Sequence, residues 1–343
     1  MKKQRILIID DSSFIRRMLK DWVEHEPDLE IVGIARNGEE GIAMAKELKP
    51  DVCTLDVEMP VMTGLEALPH LVEMGMKVLM VSSITMEGAE ATMQALEIGA
   101  YDFVTKPQGG ASLKFVQVKN EVLDKIRAAH YAKVSRKPVR VVHVKAPSSK
   151  TDKVVVMASS TGGPKTLATL WESLPKDFPA PILIVQHMPA GFTSSFASRL
   201  DRIGTVPCVE AKDGDLIVPG KAYVAPGGLH MEVGSDGKIH LVDGPTEHGV
   251  KPAADRLFNT AAKKWGSRCI GVVMTGMGRD GAAGALTVRK AGGTTLGEAE
   301  ESCVIYGMQK AAKEVGGIEA EFKLEEMGAA IVGALSGRMK RAS

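Results

Sequence analysis

Ser160, His187 and Asp280 are the residue types from which a nucleophile, its base and the group that orients the base are assembled, and each follows an apolar run. Val154-Val155-Val156-Met157-Ala158 stops at Ser159-Ser160-Thr161-Gly162-Gly163-Pro164, and Pro181-Ile182-Leu183-Ile184-Val185-Gln186 stops at His187. Cys269-Ile270-Gly271-Val272-Val273-Met274 stops at a glycine-rich stretch, Thr275 to Gly284, that holds Asp280. A serine hydroxyl is a poor nucleophile until an imidazole takes its proton, and the imidazole needs a carboxylate to fix its tautomer. The backbone amides of Thr275 to Gly281 are candidate donors to a developing oxyanion, because glycine allows close approach. Competing readings stand beside these: Ser159, Ser160 or Thr161 as the cap of a helix starting at Pro164, His187 as a structural histidine, Asp280 as a helix cap. His230 and His248 compete for the base but fall in hairpins and turns, which ranks them below His187.

A second set of polar residues ends apolar runs nearer the N-terminus. Ile6–Ile9 leads into Asp10-Asp11, Val52–Leu55 into Asp56, Val78–Val81 into Ser82-Ser83, and Phe103–Thr105 into Lys106-Pro107. Three carboxylates brought to one crevice repel one another and call for a hard cation, for which magnesium with oxygen ligands is the best match. Lys106 and the Ser82 hydroxyl are then placed to hold oxygens of a phosphate on Asp56. Taken singly, Asp10 and Asp11 read as helix caps, Asp56 as a turn residue and Lys106 as a solvated lysine.

The elements that must position these groups are short buried strands alternating with helices. Residues 1–132 carry five such strands, which predicts a doubly wound parallel sheet; in such sheets ligands bind at the carboxyl ends of the strands. Ser12 is placed to cap the first helix, and a stripe at Phe115, Val118, Val122, Ile126 and Ala129 predicts the last. Residues 133–152 carry Lys133, Arg136, Lys137, Arg140, Lys145 and Lys150 with Pro138 and Pro147, and read as an exposed basic linker. Residues 153–343 form the second domain, again α/β and mostly parallel. Its stretch from about Pro207 to Gly244, punctuated by Asp213-Gly214, Pro219-Gly220, Pro226-Gly227-Gly228 and Asp236-Gly237, predicts antiparallel hairpins.

A chain of 343 residues is long enough for about two domains. A net charge of +1 makes no case for nucleic acid as a partner. Cys53, Cys208, Cys269 and Cys303 are scattered singly, which suits buried thiols in a reducing compartment rather than a metal site. No apolar run reaches membrane-spanning length and the N-terminus is no signal peptide, so the expected location is the cytoplasm.

Residues 1 to about 130 resemble a response-regulator receiver domain, with its flavodoxin-like (βα)5 fold. The resemblance rests on Ile8-Ile9-Asp10-Asp11-Ser12, Leu55-Asp56-Val57-Glu58-Met59-Pro60, Val81-Ser82-Ser83 and Gly99-Ala100-Tyr101-Asp102-Phe103-Val104-Thr105-Lys106-Pro107. It implies Asp56 as phosphoacceptor, magnesium held by Asp10, Asp11, Asp56 and the backbone carbonyl of Glu58, and Ser82 and Lys106 reading the phosphate. Phe103 matches the family's aromatic switch position.

Residues 153 to 335 resemble the chemotaxis receptor protein-glutamate methylesterase family, CheB. The segments are Ala158-Ser159-Ser160-Thr161-Gly162-Gly163, Val185-Gln186-His187-Met188-Pro189, Val224-Ala225-Pro226-Gly227-Gly228-Leu229-His230, Lys251-Pro252-Ala253-Ala254-Asp255-Arg256-Leu257-Phe258 and Met274-Thr275-Gly276-Met277-Gly278-Arg279-Asp280-Gly281. The resemblance implies Ser160 as nucleophile, His187 as base, Asp280 as its partner, the Met277 amide as oxyanion donor and Thr161 lining the site, with no cofactor in this domain. The chain departs from the family's pattern at Ala158, where glycine is common, and at Gln309, where proline is common.

The expected function is a phosphorylation-activated esterase that frees γ-glutamyl methyl esters on methyl-accepting chemoreceptors and deamidates their glutamines. A chemotaxis histidine kinase is the implied phosphodonor. The unphosphorylated receiver is expected to cover the second domain's crevice. Rival expectations are a non-catalytic response regulator that binds a partner through its hairpins, and a transcription factor, for which the second domain lacks a recognition-helix pattern.

Overall fold

The computed structural model describes residues 3–106, 113–133 and 151–338, with only the backbone described for 113–117. Phe115, Pro107, most of the basic linker and the chain beyond Arg338 therefore lie outside the described residues and side chains. The chain divides into two compact units, Met1–Arg136 and Lys137–Ser343.

The first unit runs β1 (Gln4–Ile9), α1 (Ser13–Glu24), β2 (Leu29–Ala35), α2 (Gly38–Leu48), β3 (Val52–Asp56), α3 (Gly64–Glu73), β4 (Lys77–Ser82), α4 (Met86–Ile98), β5 (Asp102–Thr105) and α5 (Leu113–Ala128). Its sheet has the order β2-β1-β3-β4-β5, parallel throughout. Every residue of β3 is buried, as a central parallel strand covered on both faces requires. Ser12 caps α1 by accepting the Ile15 N–H, as its position in the sequence predicts. Val122, Ile126 and Ala129 of the predicted stripe are buried, which seats α5. Phe103 is 3% exposed and so belongs to the core.

The second unit runs β6 (Val154–Ser159), α6 (Gly163–Ser173), β7 (Ile182–Gln186), α7 (Phe192–Ile203), β8 (Cys208–Glu210), β9 (Ala222–Val224), β10 (His230–Val233), β11 (Ile239–Val242), α8 (Ala254–Trp265), β12 (Cys269–Val273), α9 (Ala282–Lys290), β13 (Thr294–Glu298), α10 (Met308–Glu314), β14 (Ala320–Phe322) and α11 (Leu324–Leu335). Seven strands form a parallel sheet in the order β14-β13-β12-β6-β7-β9-β8. Val154, Val155 and Val156 are fully buried in β6, each worth about 1.5–3 kcal/mol relative to exposure. One core joins β6 and β12 to Leu257, Phe258 and Ala261 of α8, Ala285 of α9 and Met308 of α10.

The stretch from Pro207 to Gly244 corrects the expectation of hairpins in part. Only β10 and β11 pair as an antiparallel hairpin, while β8 and β9 extend the main sheet in parallel. Turn spacing marks where short strands stop, but not which neighbour takes their backbone groups. β13 and β14 lie outside the expected strands: β13 holds a single large apolar residue, Leu296, and β14 has only three residues.

From β6 the chain passes through α6 to β7 on one side, and from β12 through α9 to β13 on the other. The strand order therefore reverses between β6 and β12, and the crevice at their carboxyl ends is where an open α/β sheet binds its ligand.

Candidate active site

Ser160 is the first residue beyond β6. Its N–H donates to Thr275 O at 2.9 Å across the β6–β12 switch point, and its side chain is half-buried. The cap of α6 is Gly162, in the left-handed region at φ 78°, and no side chain caps that helix. The helix-cap reading of Ser159, Ser160 and Thr161 therefore falls. Ser159 instead donates its hydroxyl to Gln186 Oε1 at 2.6 Å, and Thr161, 2% exposed, accepts the Thr275 hydroxyl at its carbonyl.

His187 is placed by register. Ser159 pairs with Gln186, so Ser160 and His187 are the next residues on adjacent parallel strands, and His187 N donates to Ser159 O at 3.0 Å. His187 Nε2–H donates to Asp280 Oδ2 at 2.7 Å. Among the described residues no hydrogen bond joins Ser160 Oγ to His187, so the structure brings the His187 imidazole to the Asp280 carboxylate and places the serine on the neighbouring strand end without a bond to either. Catalytic hydrogen bonds are often long without substrate and tighten in the complex.

Asp280 does act as a helix cap, but for α8 rather than for the helix that follows it. Oδ2 also accepts Ala254 N at 2.6 Å, and Oδ1 accepts Asp255 N at 3.0 Å and Gly281 N at 2.9 Å. The carboxylate thus sits on the positive end of α8. Burial pushes its pKa up, yet the His187 hydrogen bond and charge and the two α8 amides outweigh burial and hold it below the ordinary 3.8.

The loop after β12 passes close over the serine. A Cβ on Gly276 would lie 2.8 Å from Ser160 Cβ and 2.3 Å from Met308 Sδ, so only glycine fits. Gly276 N donates to Ile305 O, and Gly276 O accepts from Gly307 and Met308, which braces the loop. Among the described residues the Met277 N–H, in this partly exposed part of the loop, has no acceptor.

The rival histidines are accounted for. His230 is fully buried, donating from Nε2 to Pro245 O at 2.9 Å and accepting Ala253 N on Nδ1 at 3.1 Å. His248 pairs with Asp255 Oδ2 at 3.0 Å. Three buried polar residues near the site carry no prediction of their own from the sequence. Gln186 ends β7, Glu298 ends β13 and accepts Thr275 N at 3.0 Å, and Gln309 donates to Cys303 Sγ at 2.9 Å. Burial pushes the Glu298 carboxyl up to about 7. A polar residue closing a wholly apolar strand is the one signal that could have marked Gln186; β13, with two threonines and a glycine before Glu298, offers no such contrast.

In the first unit, Lys106 Nζ lies 2.6 Å from Asp56 Oδ2 and 3.2 Å from Asp10 Oδ2. The contact to Asp10 lacks hydrogen-bond alignment, so Asp10 Oδ2 is buried without a hydrogen-bond partner. Oxygens of Asp10, Asp11 and Asp56 lie within 4.8 Å of one another. Burial and the charge of Asp10 push Asp56 up to about 6 against the pull of Lys106. The Ser82 hydroxyl, fully buried, donates to Gly88 O at 3.1 Å and so is engaged with α4 rather than with Asp56 or Lys106. Glu58 is exposed in the loop that follows β3.

Comparison with known proteins agrees with this division. Residues 155–331 match the model of the CheB methylesterase family, and residues 6–115 match the response regulator receiver domain. A protein-glutamate methylesterase/protein-glutamine glutaminase of Pyrococcus abyssi is 45% identical over 97% of this chain and 94% of its own length. A protein of that name from Bacillus subtilis is 42% identical over 95% of this chain and 97% of its own. The crystal structure of the Thermotoga maritima CheB methylesterase catalytic domain, 41% identical, covers 54% of this chain and 98% of that one with a TM-score of 0.51. With a family model spanning more than half its length and near full-length relatives above 40% identity, the chain belongs to the CheB methylesterase family and carries an N-terminal response-regulator receiver domain.

Proposed function

We propose that the chain is a phosphorylation-activated protein-glutamate methylesterase and protein-glutamine deamidase acting on methyl-accepting chemoreceptors through Ser160, His187 and Asp280. The observation that carries this reading is the 2.7 Å His187–Asp280 hydrogen bond at the strand end next to Ser160. Asp280 occupies Nε2, which leaves Nδ1 as the imidazole nitrogen for the serine. Ser160 Oγ attacks the γ-carbonyl carbon of the ester while His187 Nδ1 takes its proton, and the carbonyl oxygen becomes an oxyanion facing the Met277 N–H. The C–O bond to the methoxy group breaks as His187 returns the proton, releasing methanol and leaving Ser160 acylated. Water, deprotonated by His187, then attacks the acyl carbon and frees the glutamate and the serine. With a glutamine side chain, ammonia leaves in place of methanol. Thr161, buried beside the nucleophile, lines the site.

The receiver supplies control. Asp56 is the phosphoacceptor, and a chemotaxis histidine kinase is the phosphodonor. Asp10 Oδ2, which has the Lys106 ion pair but no hydrogen bond, and the clustered oxygens of Asp10, Asp11 and Asp56 fit a hard divalent cation, with the Glu58 carbonyl as a further oxygen ligand. Magnesium there would neutralise charge between the carboxylates and an incoming phosphoryl group. Lys106 is already on Asp56, and Ser82 would exchange Gly88 O for a phosphate oxygen. Phosphate on Asp56 then releases the second unit from inhibition by the first. Such a protein works in the cytoplasm, where receptor signalling domains and kinase meet, and no helix among the described residues is long and apolar enough to cross a membrane.

The test is methanol release from methylated chemoreceptor. Ser160→Ala is expected to abolish it, and wild-type release by that variant would overturn the reading. Asp56→Asn is expected to remove stimulation by a small phosphodonor while leaving the unstimulated rate.

A further inference from the structure

We propose that Gln186 is a positioning residue that holds the nucleophile's strand end and the base's strand end at a fixed separation; this rests on the catalytic roles of Ser160 and His187 given above. Gln186 closes β7, whose other four residues are apolar, and it is 2% exposed. A buried side-chain amide is tolerated only where its hydrogen-bonding groups are met. All of them are met within the site: Oε1 accepts the Ser159 hydroxyl at 2.6 Å, and Nε2 donates to Ser160 O at 3.0 Å and to His187 O at 3.1 Å. The orientation is unique. Turned over, the amide would set Oε1 against two carbonyl oxygens, acceptor facing acceptor.

The placement matters because the backbone ladder ends here. The last rung between β6 and β7 is His187 N to Ser159 O, and beyond it no β6–β7 backbone bond orients the peptides that follow Ser160 and His187. Gln186 adds one further rung made by a side chain, tying both carbonyls to a single nitrogen. Ser160 O also accepts Gly163 N at 2.8 Å, so the same clamp reaches the turn into α6. Room for it is built in: a Cβ on Gly163 would lie 2.0 Å from Gln186 Oε1. A serine and an imidazole that do not hydrogen-bond directly need their separation set from outside, and this amide touches the backbone of both.

The experiment uses the full-length protein and four variants: Gln186→Leu, Ser159→Ala, the double variant Ser159→Ala/Gln186→Leu, and Ser160→Ala. Readouts are kcat and KM for methanol release from methylated chemoreceptor, the rate of Ser160 labelling by a fluorophosphonate, and the thermal midpoint. Gln186→Leu is expected to lower kcat about a hundredfold, the scale of a small misplacement of reacting groups, with KM within about twofold and labelling slowed in step. Ser159→Ala keeps both Nε2 donors and should keep kcat within a few-fold. The double variant replaces a hydroxyl and its amide partner together by apolar groups, which relieves the orphaned hydroxyl but not the two carbonyls and should recover part of the thermal midpoint. Its kcat should stay low. Recovery of kcat together with the midpoint would reduce Gln186 to a packing role and overturn the proposal, as would wild-type turnover by Gln186→Leu. Wild-type turnover by Ser160→Ala would instead overturn the assignment of the nucleophile itself, so the two failures are told apart.

Discussion

His187 Nε2 lies 2.7 Å from Asp280 Oδ2, and that same oxygen takes the N–H of Ala254 at 2.6 Å. One carboxylate therefore orients the His187 imidazole, the proposed base, and caps α8. Asp280→Asn cannot accept at both oxygens, and it should reverse the imidazole tautomer and lower kcat by up to about ten-thousand-fold. Loss of the cap should cost about 1 kcal/mol of stability. Because Asp280 titrates below 3.8 when folded, its stabilisation is present above 3.8 and is lost as pH falls through the lower folded value. Steady-state methanol release and urea melts at several pH values check both effects. An Asp280→Asn enzyme with wild-type kcat would remove Asp280 from the reaction.

In the receiver the sign is opposite. Burial and Asp10 raise Asp56 from 3.8 to about 6 despite Lys106, so between those values the folded unit holds a proton that the unfolded chain has released. Stability should therefore fall as pH rises through that window, by on the order of 3 kcal/mol for the shift from 3.8 to about 6. Asp56→Asn should flatten this dependence and leave the receiver more stable than wild type at neutral pH. Denaturant unfolding followed from pH 4 to 7 measures it, and an unchanged slope in the variant would refute it.

What the sequence made legible follows from where its information is local. Val154–Val156 and Cys269–Val273 announce buried strands by composition alone, and parallel topology sends their polar ends to one edge, so Ser160, His187 and Asp280 were readable as a group. The partner of a short strand is not local. Cys208–Glu210 and Ala222–Val224 sit among turns that look like hairpins, yet β9 pairs in parallel with the edge of β7 and β8 with the edge of β9. Single buried polar residues are hidden for the same reason. Gln186 and Glu298 acquire meaning only from groups that the fold carries to them from distant segments.

His187, His230 and His248 of the second unit separate by environment. His187→Gln should abolish turnover, since it removes the nitrogen proposed to take the serine proton. His248 is partly exposed and pairs with Asp255, so His248→Gln should keep kcat within a few-fold. His230 bridges Pro245 O and Ala253 N in the core, so His230→Ala should cost about 3 kcal/mol, from the cavity and two orphaned backbone groups. Paired measurement of kcat and melting midpoint distinguishes the three. A His248→Gln enzyme as inactive as His187→Gln would reopen the identity of the base.

The tightest constraint on the nucleophile is a missing side chain. A methyl group on Gly276 would meet Ser160 Cβ at 2.8 Å and Met308 Sδ at 2.3 Å. The methionine can turn aside, but Ser160 is held through its own N–H to Thr275 O and its carbonyl to Gln186 and Gly163. Relief must therefore come from moving the loop that carries Met277, or from moving the serine itself. Either displaces the proposed oxyanion donor, the Met277 N–H, from the Ser160 oxygen, and loss of one such donor is worth roughly 3 kcal/mol of barrier, about a hundredfold in rate. Gly214 supplies the comparison: it lies in a remote turn at φ 83° with nothing within 4 Å of an added Cβ. Gly214→Ala should cost about 1 kcal/mol of stability through backbone strain alone and leave kcat intact. Gly276→Ala should lower kcat about a hundredfold and slow fluorophosphonate labelling of Ser160 in proportion. Equal kcat for the two variants would mean that the Gly276 approach does not bear on the chemistry.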